Sequence, residues 1–352
     1  MTPDARYMMR CLQLAGRAAG YVAPNPMVGA VLVHGDRIIG EGYHHRFGQA
    51  HAEVNCLASV RATDQPLIPA STLYVSLEPC AHFGKTPPCT DLIIRRRIPR
   101  VVIGCRDPFD QVDGRGMDQL RAAGVEVVTG ILEEASRDRN RRFITFHTRR
   151  RPYVILKWAQ SADGRIGAAG TRQLRISQPL TDRLVHRWRS EEAAILVGTE
   201  TARSDDPQLT NRLWNGPSPV RVVVDRRLRL PPGLRLFDGS QPTVVLNDLK
   251  SEGQIPLVFH RLAGSGSAVS RICSALYELQ LQSVLVEGGA RLLQSFLDEG
   301  TWDEIRIITG TRLRIPGGIP APTPGPCQQV SEYPLGEDRI TVLQPLAPPA
   351  NP

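Results

Sequence analysis

His51-Ala52-Glu53 and, further along, Pro79-Cys80 and Cys89 supply one imidazole, two thiols and a carboxylate. The imidazole and the thiols are borderline-to-soft ligands that suit zinc, and a set of three leaves the fourth tetrahedral position to water. Glu53, two residues after the histidine, is then the natural proton carrier. A structural zinc would need a fourth protein ligand, for which His82, His44 and Cys56 are available. With three ligands the chemistry is hydrolytic. Zinc lowers the pKa of water toward ~7, and the carboxylate delivers the proton to a ring nitrogen and a departing ammonia. The reaction class is deamination of an amino-heterocycle.

These groups meet only if the elements around them converge. A helix is predicted after His51, through Val54, Leu57, Ala58 and Arg61. On a regular helix His51 and Glu53 would point about 200° apart, so one site can use both only over the helix N-terminus. A strand over 72–77 delivers Glu78-Pro79-Cys80, and a helix begins near Cys89. Upstream lie an amphipathic helix over 4–19, the proline-rigidified loop Pro24-Asn25-Pro26, and a hairpin of Ala30–Val33 with Arg37–Tyr43. Downstream, a strand at Val101–Gly104, a helix at Met117–Ala123 and a strand at Val125–Val128 complete a layered α/β domain of ~140 residues. The arginines spread over 137–151 read as a solvated helix end plus linker, with a nucleic-acid patch as the alternative. The domain boundary falls there, giving domains 1–147 and 148–352.

The second half starts with a buried strand at Tyr153–Ala159 and an Asp163-Gly164 turn. A helix through Leu184, Val185, Trp188 and Arg189 precedes a strand at Ala194–Gly198, and Thr199 to Asp206 reads as a polar loop. Strands follow at Val220–Asp225 and Thr243–Leu246, then a helix over 269–281. Val284 to Glu287 runs into Gly288-Gly289 and a helix from Ala290 to Leu297. A strand, glycines and a helix N-terminus form a phosphate cradle, though many α/β proteins turn this way without a ligand. No Gly-x-Gly-x-x-Gly stands after a strand, so a conventional dinucleotide fingerprint is not supported. Residues 316–326 are proline-rich, and 345–352 read as disordered.

A chain of 352 residues has room for two domains, each with its own core. No apolar run approaches a membrane span, and no secretory signal is expected from Met1-Thr2-Pro3-Asp4. Seven scattered cysteines argue against a disulfide framework and for a reducing cytoplasm. The net charge of +8 permits an anionic partner, but only 5% of residues are aromatic and no basic–aromatic stripe is visible. A phosphorylated metabolite is therefore favoured over nucleic acid.

Pro24-Asn25-Pro26-x-Val28-Gly29, Gly42-Tyr43-His44, His51-Ala52-Glu53 and Glu78-Pro79-Cys80-x-His82-x-Gly84-Lys85-Thr86-Pro87-Pro88-Cys89 closely resemble the deaminase half of the bifunctional riboflavin-biosynthesis deaminase/reductase family. Eight residues separate the cysteines, where zinc deaminases of nucleosides and tRNA have two. The resemblance implies that Asn25, His44, His82, Lys85 and Thr86 hold the substrate. Asp107-Pro108 and Gly114-Arg115-Gly116 also match, with Phe109-Asp110 where Asn-Pro is usual.

The resemblance continues through Leu156-Lys157, Ser161-x-Asp163-Gly164, Thr201, Asp205-Asp206-Pro207, Leu209-Thr210, Arg212 and Glu287-Gly288-Gly289. It implies a cytidine-deaminase-like domain followed by a dihydrofolate-reductase-like domain, with zinc and NADPH as cofactors. It further implies that Ala159, Arg175, Thr201, Asp205, Gly289, Ala290, Arg291, Leu292, Leu293, Gln294 and Ser295 contact the nucleotide. Gln173, Arg189, Leu209, Arg212 and Glu287 are implied for the ribose phosphate, and Lys157 and Asp205 for polarising the sugar carbon. Gln173-Leu174-Arg175-Ile176-Ser177 replaces the usual Ser-x-Trp-Ile-Thr, and residues 315–322 replace the usual strand exit. The expected function is deamination of a phosphoribosyl-diaminopyrimidine followed by reduction of its ribose to ribityl, in a homo-oligomer joined through the reductase half. The rival readings are a tRNA deaminase docking through its arginines and a non-catalytic C-terminal module.

Overall fold

A computed structural model describes residues 1–83, 87–109, 112–168 and 174–346. The chain divides into two compact units, Met1–Arg150 and Arg151–Pro352. In the first, the elements run α1 (Pro3–Ala15), β1 (Gly29–His34), β2 (Arg37–Tyr43), α2 (Ala52–Ala58), β3 (Thr72–Leu77), α3 (Cys89–Arg95), β4 (Arg100–Cys105), α4 (Arg115–Ala122), β5 (Glu126–Thr129), α5 (Glu133–Arg139) and α6 (Arg141–Arg149). The sheet order is β2-β1-β3-β4-β5, antiparallel from β2 to β3 and parallel from β3 to β5.

The unbroken apolar run of β4 follows from burial on both faces. Val101 and Ile103 join the core beneath α2, α3 and α4, while Val102 joins the one beneath α1. Each such side chain contributes ~1.5–3 kcal/mol on burial. A one-residue slip would exchange the residues of the two faces, so the pairing that places Leu77 beside Cys105 is fixed, and with it the start of Glu78-Pro79-Cys80. Gly29 lets α1 lie directly on β1, because a Cβ there would fall 2.1 Å from the Cys11 carbonyl oxygen.

The second unit comprises β6 (Tyr153–Ser161), β7 (Arg165–Gly167), α7 (Pro179–Glu191), β8 (Ala194–Gly198), α8 (Thr199–Asp205), β9 (Val220–Val224), β10 (Thr243–Asn247), β11 (Glu252–Gln254), β12 (Leu257–Arg261), α9 (Ala268–Glu278), β13 (Ser283–Val286), α10 (Ala290–Asp298), β14 (Glu304–Gly310), β15 (Ile319–Pro320), β16 (Cys327–Leu335) and β17 (Asp338–Pro345). Ten strands form one sheet, β11-β12-β10-β9-β8-β13-β6-β14-β17-β16, parallel from β12 through β14. Here too the central strands are covered on both faces, Leu156 and Leu196 to one side and Ile155 and Ile195 to the other.

Three expectations are corrected. The arginine-rich stretch is no linker: it folds into α5 and α6, with Phe143, Phe146 and Asn140 buried. Thr199 to Asp205 is the helix α8, its Ala202 packed into the core. Pro345 closes the strand β17, while residues 347–352 lie outside the described residues. No helix among the described residues is long and apolar enough to cross a membrane.

Candidate functional site

His51 is the N-cap of α2, in extended backbone geometry, and its side chain makes no capping bond. The ring is thereby free to project past the helix end, and Glu53 in the first turn lies buried at 3% exposure. Cys80 lies three residues past β3, and Cys89 is the first residue of α3. The Cys80 and Cys89 sulfurs lie 3.6 and 3.4 Å from His51 Nδ1. A tetrahedral zinc with Zn–N ~2.0–2.1 Å and Zn–S ~2.3 Å separates such atoms by about 3.6 Å. The donor set therefore fits the metal in kind and in spacing.

The candidates for a fourth ligand stand elsewhere. Both ring nitrogens of His44 are engaged, Nδ1 at 3.0 Å from the Ala50 carbonyl oxygen and Nε2 at 3.0 Å from Asn25 Nδ2. Burial pushes the Cys56 thiol well above its ordinary range. Among the described residues the cluster holds His51, Cys80 and Cys89 alone, the three-ligand arrangement of a catalytic site. A hydrogen bond from Cys89, then His51, holds the Cys80 thiol below its ordinary range against the cost of burial. The Cys89 amide N–H also points at the Cys80 sulfur, at 3.4 Å. Burial, then Cys80, raises Glu53 above the usual carboxylate range.

Two supports were not apparent from the sequence. Glu78 accepts hydrogen bonds from the amides of Asp107, Gly114, Gly116 and Met117, 3.0–3.3 Å away, and so ties the start of α4 beneath Pro79-Cys80. Gly116 presses against the same turn, since a Cβ there would lie 2.1 Å from the Pro79 carbonyl oxygen. The glutamate ahead of Pro-Cys and the Gly-x-Gly pair were the available signals. Phe109, which stands in the usual asparagine position, packs edge-on between His82 (6.1 Å between ring centroids) and His147 (5.0 Å). The Nδ1 of His82 is buried without a partner among the described residues. Lys85 and Thr86 lie outside the described residues.

In the second unit, Arg189 on α7 grips Glu287 with two bonds, Nε to Oε1 at 3.0 Å and Nη2 to Oε2 at 2.8 Å. Lys157 on β6 adds its Nζ 3.6 Å from Oε2. Burial alone would raise Glu287, but Arg189 and Lys157 outweigh it and hold the carboxyl down at about 2. His186, also on α7, is buried, and its Nδ1 accepts the Arg212 amide at 2.9 Å. Burial pushes it down to about 4, helped by the Arg189 and Arg212 charges. No feature of the sequence had singled out His186. Leu209 sits in the left-handed region at φ +54°, with its side chain in the core, so it can offer a ligand only its main chain.

The glycines after β13 lie where a side chain would be tight. A Cβ on Gly288 would lie 2.6 Å from Leu292 Cδ2 and 3.2 Å from the Gly198 nitrogen, and one on Gly289 3.0 Å from Thr201 Oγ1. Thr201 Oγ1 accepts the Gly289 amide at 2.8 Å. Gly289 caps α10 without a side chain, leaving the Ala290 and Arg291 amides at an open helix N-terminus, a cradle that fits a pyrophosphate. Leu293 turns into the core, Gln294 bonds Asp298 and Ser295 bonds the Arg291 carbonyl, while Leu292 packs at the core's edge. Ala159 lies half-buried on β6. Asp205 bonds Ser204 and lies outside the Lys157–Glu287–Arg189 group. Arg175 pairs with Asp182 on α7, and Gln173 lies outside the described residues.

Residues 1–105 match the cytidine and deoxycytidylate deaminase zinc-binding region, and residues 152–317 match the RibD C-terminal domain. The riboflavin biosynthesis protein RibD of Aquifex aeolicus is 39% identical over 88% of this chain and 87% of its own length. That of Escherichia coli K12 is 33% identical over 88% of each. The crystal structure of a diaminohydroxyphosphoribosylaminopyrimidine deaminase/5-amino-6-(5-phosphoribosylamino)uracil reductase from Thermotoga maritima superimposes with a TM-score of 0.89 at 37% identity. It covers 98% of this chain and 99% of the other. Acinetobacter baumannii RibD gives 0.89 at 30% identity, with the same coverage. The tRNA-deaminase alternative finds no support among these relatives. A cytidine-deaminase-like domain that uses zinc is joined to an NADPH-dependent reductase domain, and the chain belongs to the bifunctional deaminase/reductase family of riboflavin biosynthesis.

Proposed function

We propose that residues 1–147 hydrolyse the 2-amino group of 2,5-diamino-6-(5-phosphoribosylamino)pyrimidin-4-one, and that residues 148–352 then reduce the ribosyl group to ribityl. The three-ligand cluster beside a buried glutamate carries the first half of this reading. His51, Cys80 and Cys89 would hold zinc, which when bound makes water acidic enough to attack at neutral pH. Glu53 takes one proton from the water and gives it to the ring nitrogen as the carbon–oxygen bond forms, then moves the remaining hydroxyl proton to the amino group as the carbon–nitrogen bond breaks, so one water is consumed and one ammonia released. Asn25, His44, His82, Lys85 and Thr86 orient the pyrimidine and its phosphate.

In the reductase half, Arg189 and Arg212, with Gln173, Leu209 and Glu287, hold the ribose phosphate. Residues 289–295 other than the core residue Leu293, with Ala159, Arg175, Thr201 and Asp205, hold the nucleotide, which when bound supplies the hydride. The sugar carbon next to nitrogen gains that hydride as its bond to the ring oxygen breaks, and the oxygen gains a proton. Lys157 is the proton donor favoured by its place beside Glu287, and Asp205, which stands outside that group, is left to the nucleotide. The reading also assigns a homo-oligomer joined through residues 148–352, a cytoplasmic location and no nucleic-acid partner. Equilibrium sedimentation tests the first, and tRNA binding at low salt would sink the last.

The deciding experiment measures zinc content, ammonia release from the diaminopyrimidine and NADPH oxidation by the deaminated product on one preparation. Ammonia release without NADPH oxidation would refute the two-step reading, and a Glu53→Gln protein deaminating at the parent rate would remove the assigned mechanism.

A further inference from the structure

Asn140 is the single residue between α5 and α6, and it is 2% exposed. An asparagine in this position ordinarily turns its side-chain oxygen onto the first amides of the following helix. Here the side chain makes no such bond. Both ends of its amide instead meet the main chain of Met27, 113 residues earlier: Met27 N–H donates to Oδ1 at 2.8 Å, and Nδ2 donates to the Met27 carbonyl at 3.0 Å. A side chain thus offers Met27 the paired donor and acceptor that a neighbouring strand would offer.

What this clamp holds lies two residues away. Asn25 places Nδ2 against His44 Nε2 at 3.0 Å. The other ring nitrogen of His44 faces the Ala50 carbonyl, which only accepts, so Nδ1 carries the proton and Nε2 receives the Asn25 N–H. The His44 ring in turn meets His51 edge-on, 5.6 Å between centroids. Asn140, Met27, Asn25, His44 and His51 therefore form one line of contacts from the α5–α6 junction to the metal cluster.

We propose that Asn140 is a positioning residue of the deaminase site, fixing the 25–27 loop so that Asn25 and His44 are set for the pyrimidine before it arrives. This rests on the reading of Asn25 as a substrate contact. It also gives the arginine-rich segment a role: α5 and α6 are the frame that delivers Asn140.

The test is a double-mutant cycle in the full-length, zinc-loaded chain, with Asn25→Ala, Asn140→Ala and the pair. Asn140→Ala is expected to raise the deaminase KM on the order of ten-fold with kcat little changed, because an interaction shared by ground and transition states is lost. Zinc content and the reductase rate of the same protein stay at parent values, and amide hydrogen exchange across 22–28 accelerates. If Asn140 acts through Asn25, the double variant is no worse than Asn25→Ala. Independent, multiplying effects would overturn the proposal, as would an unchanged KM in Asn140→Ala beside a raised one in Asn25→Ala. A normal KM in Asn25→Ala alone would overturn both this inference and the role given to Asn25. Should Asn140→Ala lose zinc or fail to fold, Asn140→Asp carries the same readouts. It keeps the acceptor for the Met27 amide but turns a carboxylate oxygen, which cannot donate, toward the Met27 carbonyl, so a rise in KM is expected and no rise refutes the proposal.

Discussion

Glu53 and Glu287 are both buried carboxylates set where a helix or strand ends, but their neighbours treat the charge in opposite ways. Glu53 faces two thiols and an imidazole, and burial raises its proton affinity. Glu287 faces Arg189 and Lys157, whose charges outweigh the same burial penalty and lower it. A carboxyl of the first kind can give and take a proton within a catalytic cycle. One of the second kind stays an anion and fixes two cations in place. The first unit therefore leaves its buried carboxyl ready to exchange a proton, and the second keeps its own charged, holding Arg189 and Lys157 still.

Removing zinc, or replacing Glu53 with Gln, tests that division most severely. Ammonia release should fall by at least ~10²-fold, while NADPH oxidation with the deaminated product continues at the parent rate. Loss of both activities would mean that the halves do not work independently. Next in size is Glu287→Gln, which leaves Arg189 and Lys157 buried beside a neutral amide. Removing one member of a buried ion group costs ~3–5 kcal/mol, so urea should unfold the second unit at a clearly lower midpoint. An unchanged midpoint would show that Glu287 is no electrostatic anchor.

A smaller effect is expected from pH. His186 has its folded pKa lowered from 6.5 to about 4, so between those values the unfolded chain binds a proton that the folded one refuses. Its contribution to stability is complete above pH 6.5 and is lost as pH falls to about 4. Glu287, lowered from 4.5 to about 2, adds a second loss below 4.5. Denaturation midpoints followed from pH 7 to 4 should decline, and His186→Asn should flatten the upper part of that curve. The smallest change is Thr201→Val, which removes the acceptor for the Gly289 amide. Losing ~1 kcal/mol there raises the KM for NADPH about five-fold without altering deamination.

The same contrast explains what could be read in advance. His51, Glu53, Cys80 and Cys89 were legible because metal chemistry admits few residue types, and those few were placed at telling intervals. The central strands were legible because burial on both faces writes an unbroken apolar run. Strand β14 escaped notice because it interleaves Ile305 and Ile308 with buried Glu304 and Arg306, whose charges pair with each other and with Glu192. The exposed, polar β16 offered no alternation to follow. The clamp of Asn140 on Met27 spans 113 residues, and no local pattern encodes such a bond. Arginine content likewise suggested a linker, because composition does not record that Arg141 meets Asp138 and Arg151 meets Asp303.

The two metal-binding cysteines are anchored separately. Glu78 and Gly116 hold the turn before Cys80, and α3 carries Cys89. Thr90 then ties the two ends together, its amide and hydroxyl each 3.3 Å from the Cys80 carbonyl oxygen. Both ends of the segment that links the cysteines are thus fixed by contacts outside it. Lengthening such a loop costs only ~0.6 kcal/mol per doubling. Metal retention therefore does not depend on the length of this insert, and it should survive exchange of the insert for another between the same two anchors.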